Sequence, residues 1–311
     1  MTESVNPRGT EAGFTLIELL ISMLVMMIIS GIVVGSTMDL SRLGSSMTNR
    51  SDMHSGVRNA TALLQQEVGQ AGRVSLPAPS ALAAPVVIAG VRTVAVTSTA
   101  GMFNGERLSI DAGATEETIT LINVDPANSS ITADFKVEHL AGVRLAVVGG
   151  FSAGVIPTTM ANGSTGNVLK IIGDINGDGN MVYVEYTCDL AGGRLFRNVM
   201  AIDAAVKPPL TVEQVLLDNL LPNPPNPNGA VPPCFVYQEQ TFGGRTYVVG
   251  VAIMTTVRTQ QRDVITRNFQ TVTKALLNVS PRNVVNVWQM ASLNYNERVQ
   301  PVPPSVIPLL P

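Results

Sequence analysis

The chain has 311 residues, 45% of them apolar, and a formal charge of −3 without acidic or basic blocks. That balance excludes the basic footprint of a general nucleic-acid binder, and the length supports a sizeable core, as one large domain or two small ones. Lysine is scarce beside arginine while Gly, Pro, Asn and Thr are abundant, a composition that suits a turn-rich, exported β domain.

The first element is a polar leader, residues 1–13. It is followed at once by an apolar run over 14–36 that is long enough to cross a bilayer and carries one charge, Glu18. An ionised group in hydrocarbon costs at least ~2.5–3.5 kcal/mol, so Glu18 marks a site whose cost a partner or a function compensates. A secretory signal would place its small residues and its cut after the apolar run, whereas Ala12 and Gly13 precede it here. The string Gly13-Phe14-Thr15-Leu16-Ile17-Glu18 resembles the N-terminus of type IV prepilins and pseudopilins. The resemblance implies cleavage between Gly13 and Phe14 by a prepilin peptidase, methylation of the new amino group on Phe14, and an assembly role for Glu18 as the fifth mature residue. Charge counting leaves the orientation open, with Arg8 before the span and Arg42 and Arg50 after it. The resemblance implies a cytoplasmic leader, a single pass through the inner membrane and a periplasmic or extracellular domain.

Beyond the span, Leu40, Leu43, Met47, Met53, Val57, Ala60, Leu64 and Val68 recur every three or four residues or at near multiples, marking one face of an amphipathic helix over 37–73. No proline interrupts residues 8–76, so the helix is predicted to run from Phe14 to about Gly72, roughly 85–90 Å at 1.5 Å per residue. Many major pilins carry a helix-breaking proline near the end of the span. Gly31 and Gly35 stand there instead and, at about 1 kcal/mol each, make it a point of expected local melting.

Residues 74–300 read as a β-rich domain. Strands are predicted at 86–89, 91–97, 106–110, 117–124, 130–135, 144–148, 169–172, 181–188, 194–199, 235–241 and 245–257. Asn104-Gly105, Gly192-Gly193 and Gly243-Gly244 are expected hairpin turns. In the second half only 212–221 reads as helical. Residues 222–233 form a Pro/Asn loop, and the Pro-rich tail 301–311 is expected to lack fixed structure. The order of these later segments, from Val182-Tyr183-Val184-Glu185-Tyr186 to Ser280-Pro281-Arg282-Asn283, resembles PilW-like minor pilins and J-type pseudopilins. The fold class is therefore expected to be α+β, a long N-terminal helix packed on an antiparallel β domain of one or two sheets.

Little catalytic chemistry is visible. The two histidines are His54, on the helix, and His139, in a charged stretch that reads as surface; no nucleophile motif or phosphate-cradling loop accompanies them, and no enzyme is expected. One metal motif stands out. Asp174, Asn176, Asp178, Asn180 and Glu185 fit a twelve-position calcium loop, with Gly179 at position six, although the flanks read as strands rather than helices. A polar hairpin turn is the alternative to Ca2+. Cys188 and Cys234 are even in number and lie in the part expected to be exported, which permits a disulfide, the expected state, or a buried reduced pair.

The expected function is that of a minor type IV pilin that starts or caps a pilus and so serves adhesion, twitching motility or DNA uptake. A pseudopilin of a type II secretion filament and a pilus-tip adhesin are the alternatives. The expected partners are other major or minor pilins or pseudopilins, the prepilin peptidase, and the inner membrane before assembly. The size of the chain suits a low-copy place at a filament tip.

Overall fold

A proline-free stretch gives α1, Leu16–Gly69, a helix of 54 residues that stays unbroken at Gly31 and Gly35. The melting expected at those glycines is absent, because one glycine per turn removes some helical propensity but no backbone hydrogen bond. The computed structural model describes residues 15–311, the side chain of Leu277 apart. The described residues form two units: residues 15–52 with Gln261–Gln270, and Met53–Gln260 with Thr271–Pro311.

In the first unit the apolar side chains of α1 are exposed, from Leu16 at 78% to Met47 at 70%. The stretch is apolar and long enough to cross a membrane. Gln261–Gln270 lies against this part of the helix: the Asn49 amide donates to the Gln261 carbonyl at 2.8 Å, and the Ser46 hydroxyl donates to the Asp263 carboxylate.

The second unit is α+β. Val57, Ala60, Leu64 and Val68 bury one face of α1 in a core with Leu169, Ile171, Val184 and Tyr186. Strands β1 (Ser80–Ala81), β2 (Gly90–Ala95), β3 (Arg107–Ile110), β4 (Glu117–Asp125), β5 (Ser130–Phe135) and β6 (Arg144–Val147) form a sheet in the order β1-β6-β3-β4-β5-β2. Its two ends meet. Ala83 N–H donates to the Ala95 carbonyl at 2.8 Å and Thr97 N–H to the Ala81 carbonyl at 2.9 Å, with Leu82 bridged to Val96. The sheet thus closes into a small barrel, its interior filled by Leu108, Ile110, Ile119, Ile131, Phe135 and their neighbours.

After β7 (Gly150–Phe151), strands β8 (Val168–Gly173), β9 (Val182–Asp189), β10 (Arg194–Ala201) and β11 (Val215–Asp218) make a second antiparallel sheet, ordered β11-β10-β9-β8. A third sheet holds β12 (Leu220–Leu221), β13 (Phe235–Phe242), β14 (Arg245–Arg258) and β15 (Thr271–Val279), with β14 paired to each of the others. Helix α2 (Arg282–Ser292) and β16 (Val299–Gln300), which runs parallel to β7, follow.

Several expectations are corrected. The antiparallel domain holds three principal sheets rather than one or two. Residues 212–221 are not a helix: a 3-10 turn at Val212–Gln214 leads into β11 and β12, because Leu217 and Leu220 find their burial beside β10 and β14. Asn104-Gly105 makes a turn but no hairpin, since β2 pairs with β5 while β3 pairs with β4 and β6. Val86 contributes only a bridge to His139. The tail is ordered, with Val306, Leu309 and Leu310 buried in a cluster with Phe151, Ile172 and Tyr183. His139 is buried too, its ring nitrogens 3.3 Å from Asp111 and 2.8 Å from Glu117, because the fold supplies two carboxylates that lie far away in sequence.

Candidate functional site

The head of α1 is built by two residues. Thr15 is the last residue before the helix, and both its backbone N–H and its hydroxyl donate to Glu18 Oε2, at 3.0 and 2.9 Å. In return the Glu18 N–H donates to the Thr15 Oγ1 at 3.3 Å. This is a capping box, in which a Thr and a Glu three residues on satisfy each other's exposed backbone donors. The box satisfies backbone donors that the first turn of a helix leaves without an intrahelical partner. The pattern Thr-x-x-Glu before an apolar run was present in the sequence, and Thr15 is the functional residue that its reading left out. Further along, the Ser22 hydroxyl donates to the Leu19 carbonyl at 2.9 Å and the Thr37 hydroxyl to the Val33 carbonyl at 2.8 Å, so these polar side chains are satisfied within the helix. Glu18 is thereby the one carboxylate in the apolar stretch, and its Oε2 already accepts two bonds. Gly13 and Phe14 lie outside the described residues.

Four residues of the calcium motif, Asp174, Asn176, Asp178 and Asn180, share one turn, and Glu185 does not join them. Asp174 caps its own turn, accepting the N–H of Asp178 at 3.0 Å and of Gly179 at 2.7 Å. Asp178 accepts the N–H of Asn180 at 2.8 Å, a bond that holds its carboxyl below the usual range. Asn176 belongs to the same turn, where Gly177 and Gly179 take positive φ values of 72° and 81°. Glu185, which would have closed the loop, is buried on β9 instead. Its Oε2 accepts the Tyr183 hydroxyl at 2.9 Å and the Lys207 ammonium at 2.7 Å, with Lys170 at 3.8 Å. Strand geometry separates it from the turn, and among the described residues no three His, Cys, Asp or Glu side chains group to hold a metal ion.

Cys188 and Cys234 are joined by a disulfide, with Cα atoms 6.6 Å apart. The bond ties the end of β9 to the residue before β13, and so the second sheet to the third. Two further ion pairs, one fully buried and one partly exposed, had no local signal in the sequence. Arg73, just after α1, pairs with Glu106 beside β3 and also donates to the Gly179 carbonyl at 3.3 Å, so one guanidinium links the barrel to the turn between β8 and β9. Glu67 pairs with Arg197 in the same manner, joining α1 to β10.

Residues 8–34 match the family described as the prokaryotic N-terminal methylation motif. The match covers the head of the chain and supports the type IV pilin and pseudopilin family. No curated protein and no solved structure matches the chain.

Proposed function

We propose that this chain is a minor type IV pilin, a low-copy structural subunit that starts or caps a pilus. The observation that carries the proposal is the head of α1: an exposed apolar helix with a single carboxylate, Glu18, inside a matched methylation motif. A helix that is apolar all round must be covered, either by lipid or by other helices of its kind. In this proposal the leader is removed between Gly13 and Phe14 by a prepilin peptidase. The subunit then waits in the inner membrane with its β-rich part outside, and α1 passes from lipid into a bundle of other pilins at the pilus tip. The disulfide suits an oxidising compartment outside the cytoplasm. The closed barrel and two further sheets make a bulky subunit, a size that suits a tip better than a repeating filament body.

The deciding experiment is a deletion strain complemented with the full chain. Loss of surface pili with restoration by the wild-type gene is expected. Normal pili with lost surface attachment would assign an adhesin instead, and normal pili with accumulated exoproteins in the periplasm would assign a pseudopilin of a type II secretion filament.

A further inference from the structure

We infer that the loop Gln261–Gln270 is a second membrane contact, which lays Val264 and Ile265 into the headgroup layer of an anionic bilayer beside the span. The inference rests on the proposal that the apolar part of α1 lies in a membrane.

The direction of the loop along α1 is fixed by two contacts. The Gln261 carbonyl meets Asn49, and two residues later Asp263 meets Ser46, so the loop descends the helix towards its apolar end. At Asp263 the loop turns back: Arg267 N–H donates to the Asp263 carbonyl at 2.8 Å and Asp263 N–H to the Asn268 carbonyl at 2.9 Å. The Asp263 carboxylate accepts the N–H of Ile265 at 3.0 Å and of Thr266 at 2.7 Å. Residues 264–267 are therefore the tip of a tied turn ahead of Ser46. Ser46 stands about 15 Å along the axis from the end of the span at residue 36. The turn projects from Ser46 into that interval, and the headgroup layer itself adds about 5–7 Å on each side of the hydrocarbon.

The chemistry of the tip suits that layer. Val264 is 47% exposed and Ile265 63%, and the exposed cations Arg262 and Arg267 flank them. The one carboxylate of the loop, Asp263, is buried against Ser46 and the turn, so the outer surface presents two aliphatic groups between two cations. This is the pattern of a segment that dips apolar groups among headgroups while its cations meet lipid phosphate. On the helix nearby, Asp39 is engaged with Arg42 at 3.4 Å.

The test places a fluorophore at the tip. Ile265→Cys supplies a labelling thiol, because Cys188 and Cys234 are bonded to each other. The labelled full chain is reconstituted at low density in vesicles of phosphatidylcholine with phosphatidylglycerol, and nitroxide-headed lipid serves as quencher. A blue shift and strong quenching are expected. Arg262→Gln and Arg267→Gln should each shift the contact equilibrium roughly five-fold towards the unquenched state. A chain that floats with the vesicles while its dye stays unquenched would overturn the loop contact and leave the span standing. A chain that fails to float would overturn both. Quenching equal in pure phosphatidylcholine would remove the anionic partner, and a dye signal that follows protein density rather than lipid would assign the tip to contact between copies.

Discussion

The carboxylate of Glu67, near the end of α1, is gripped by the guanidinium of Arg197 on β10, with Arg197 Nε 3.1 and 3.2 Å from its two oxygens. The Tyr186 hydroxyl donates to the same carboxylate at 2.5 Å, and burial, aided by the charge of Glu67, pushes its phenol far above the usual range. Replacing one partner of such a pair strands a buried charge, which costs roughly 3–5 kcal/mol, whereas replacing both with neutral groups of similar volume is far milder. Arg197→Met alone should therefore lower stability by about 3 kcal/mol, towards the bottom of that range because Arg197 keeps 28% of its side chain exposed. The double variant Glu67→Gln, Arg197→Met should recover much of the loss. Equal unfolding midpoints for the single and double variants in denaturant would show that the pair is not coupled.

The parts of this fold that were legible in the sequence are those whose burial follows a local period. Ser130–Phe135 alternates buried and partly exposed residues and was found at its true bounds, and the turn at Gly243-Gly244 has φ values of 57° and 74° as a tight hairpin requires. α2 lies outside the helices expected from the sequence although Val284, Val287, Trp288 and Ala291 keep helical spacing and Pro281 stands directly ahead of its first residue, where a proline suits a helix start. Residues 212–221 show the opposite failure. Their leucines also keep helical spacing, but β10 offers an edge and the segment pairs with it. Nothing local could have revealed that Lys170, Glu185 and Lys207 cluster, since their meeting depends on strand register and chain return.

Within the covalent frame, Cys188 and Cys234 close a loop with a sequence separation of 46. Loop-entropy estimates give about 4 kcal/mol for a closure of that size. The oxidised protein should resist alkylation under native, non-reducing conditions. After reduction, or in a Cys188→Ala, Cys234→Ala variant, it should unfold at clearly lower denaturant. Full labelling of both thiols before reduction would contradict the bond.

Asp263 gives the loop on α1 a defined acid limit. The Ser46 hydroxyl first, and then the Thr266 N–H, hold its carboxyl at about 2, below its ordinary 3.8. A lowered pKa means that the stabilisation is complete above the ordinary value and is lost as pH falls through about 2. The amide resonances of Ile265 and Thr266 should stay fixed from pH 6 to pH 4 and move only below about pH 3. A transition centred near pH 4 would mean that these hydrogen bonds do not hold the carboxylate.

A calcium loop closed by Glu185 would need that carboxylate free, yet it is bonded to Tyr183 and Lys207. Asp174 accepts the turn's own N–H groups from Asp178 and Gly179. The melting temperature of the full chain in detergent should therefore be the same in chelator and in millimolar calcium, while Asp174→Ala should lower the unfolding free energy by about 1 kcal/mol through the loss of a capped turn. A rise in calcium that Asp178→Ala abolishes would instead make Asp174, Asn176 and Asp178 a cation site.

Glu18 is a cap within its own chain and, in the proposed function, also an assembly charge, two roles that substitution can separate. As a cap it bonds to the backbone and hydroxyl of Thr15 within its own chain, and as a charge it can meet the amino group of Phe14 on a neighbouring subunit once the leader is removed. A pair of that kind in a lipid-like core adds little net stability, because desolvation consumes most of the attraction. In the proposed assembly its effect would be on register: a subunit docked one step out would leave the carboxylate without a cation in hydrocarbon. Gln at the same position keeps the capping box, since the box accepts Glu or Gln, but carries no charge. Glu18→Ala removes both. Each variant should insert in the membrane and lose its leader nearly as the wild type does. If the charge sets register, both should fail to pull down partner pilins and should reduce pilus number alike. Normal assembly in Glu18→Gln beside failure in Glu18→Ala would assign the residue to the cap, and normal assembly in both would remove Glu18 from the assembly site.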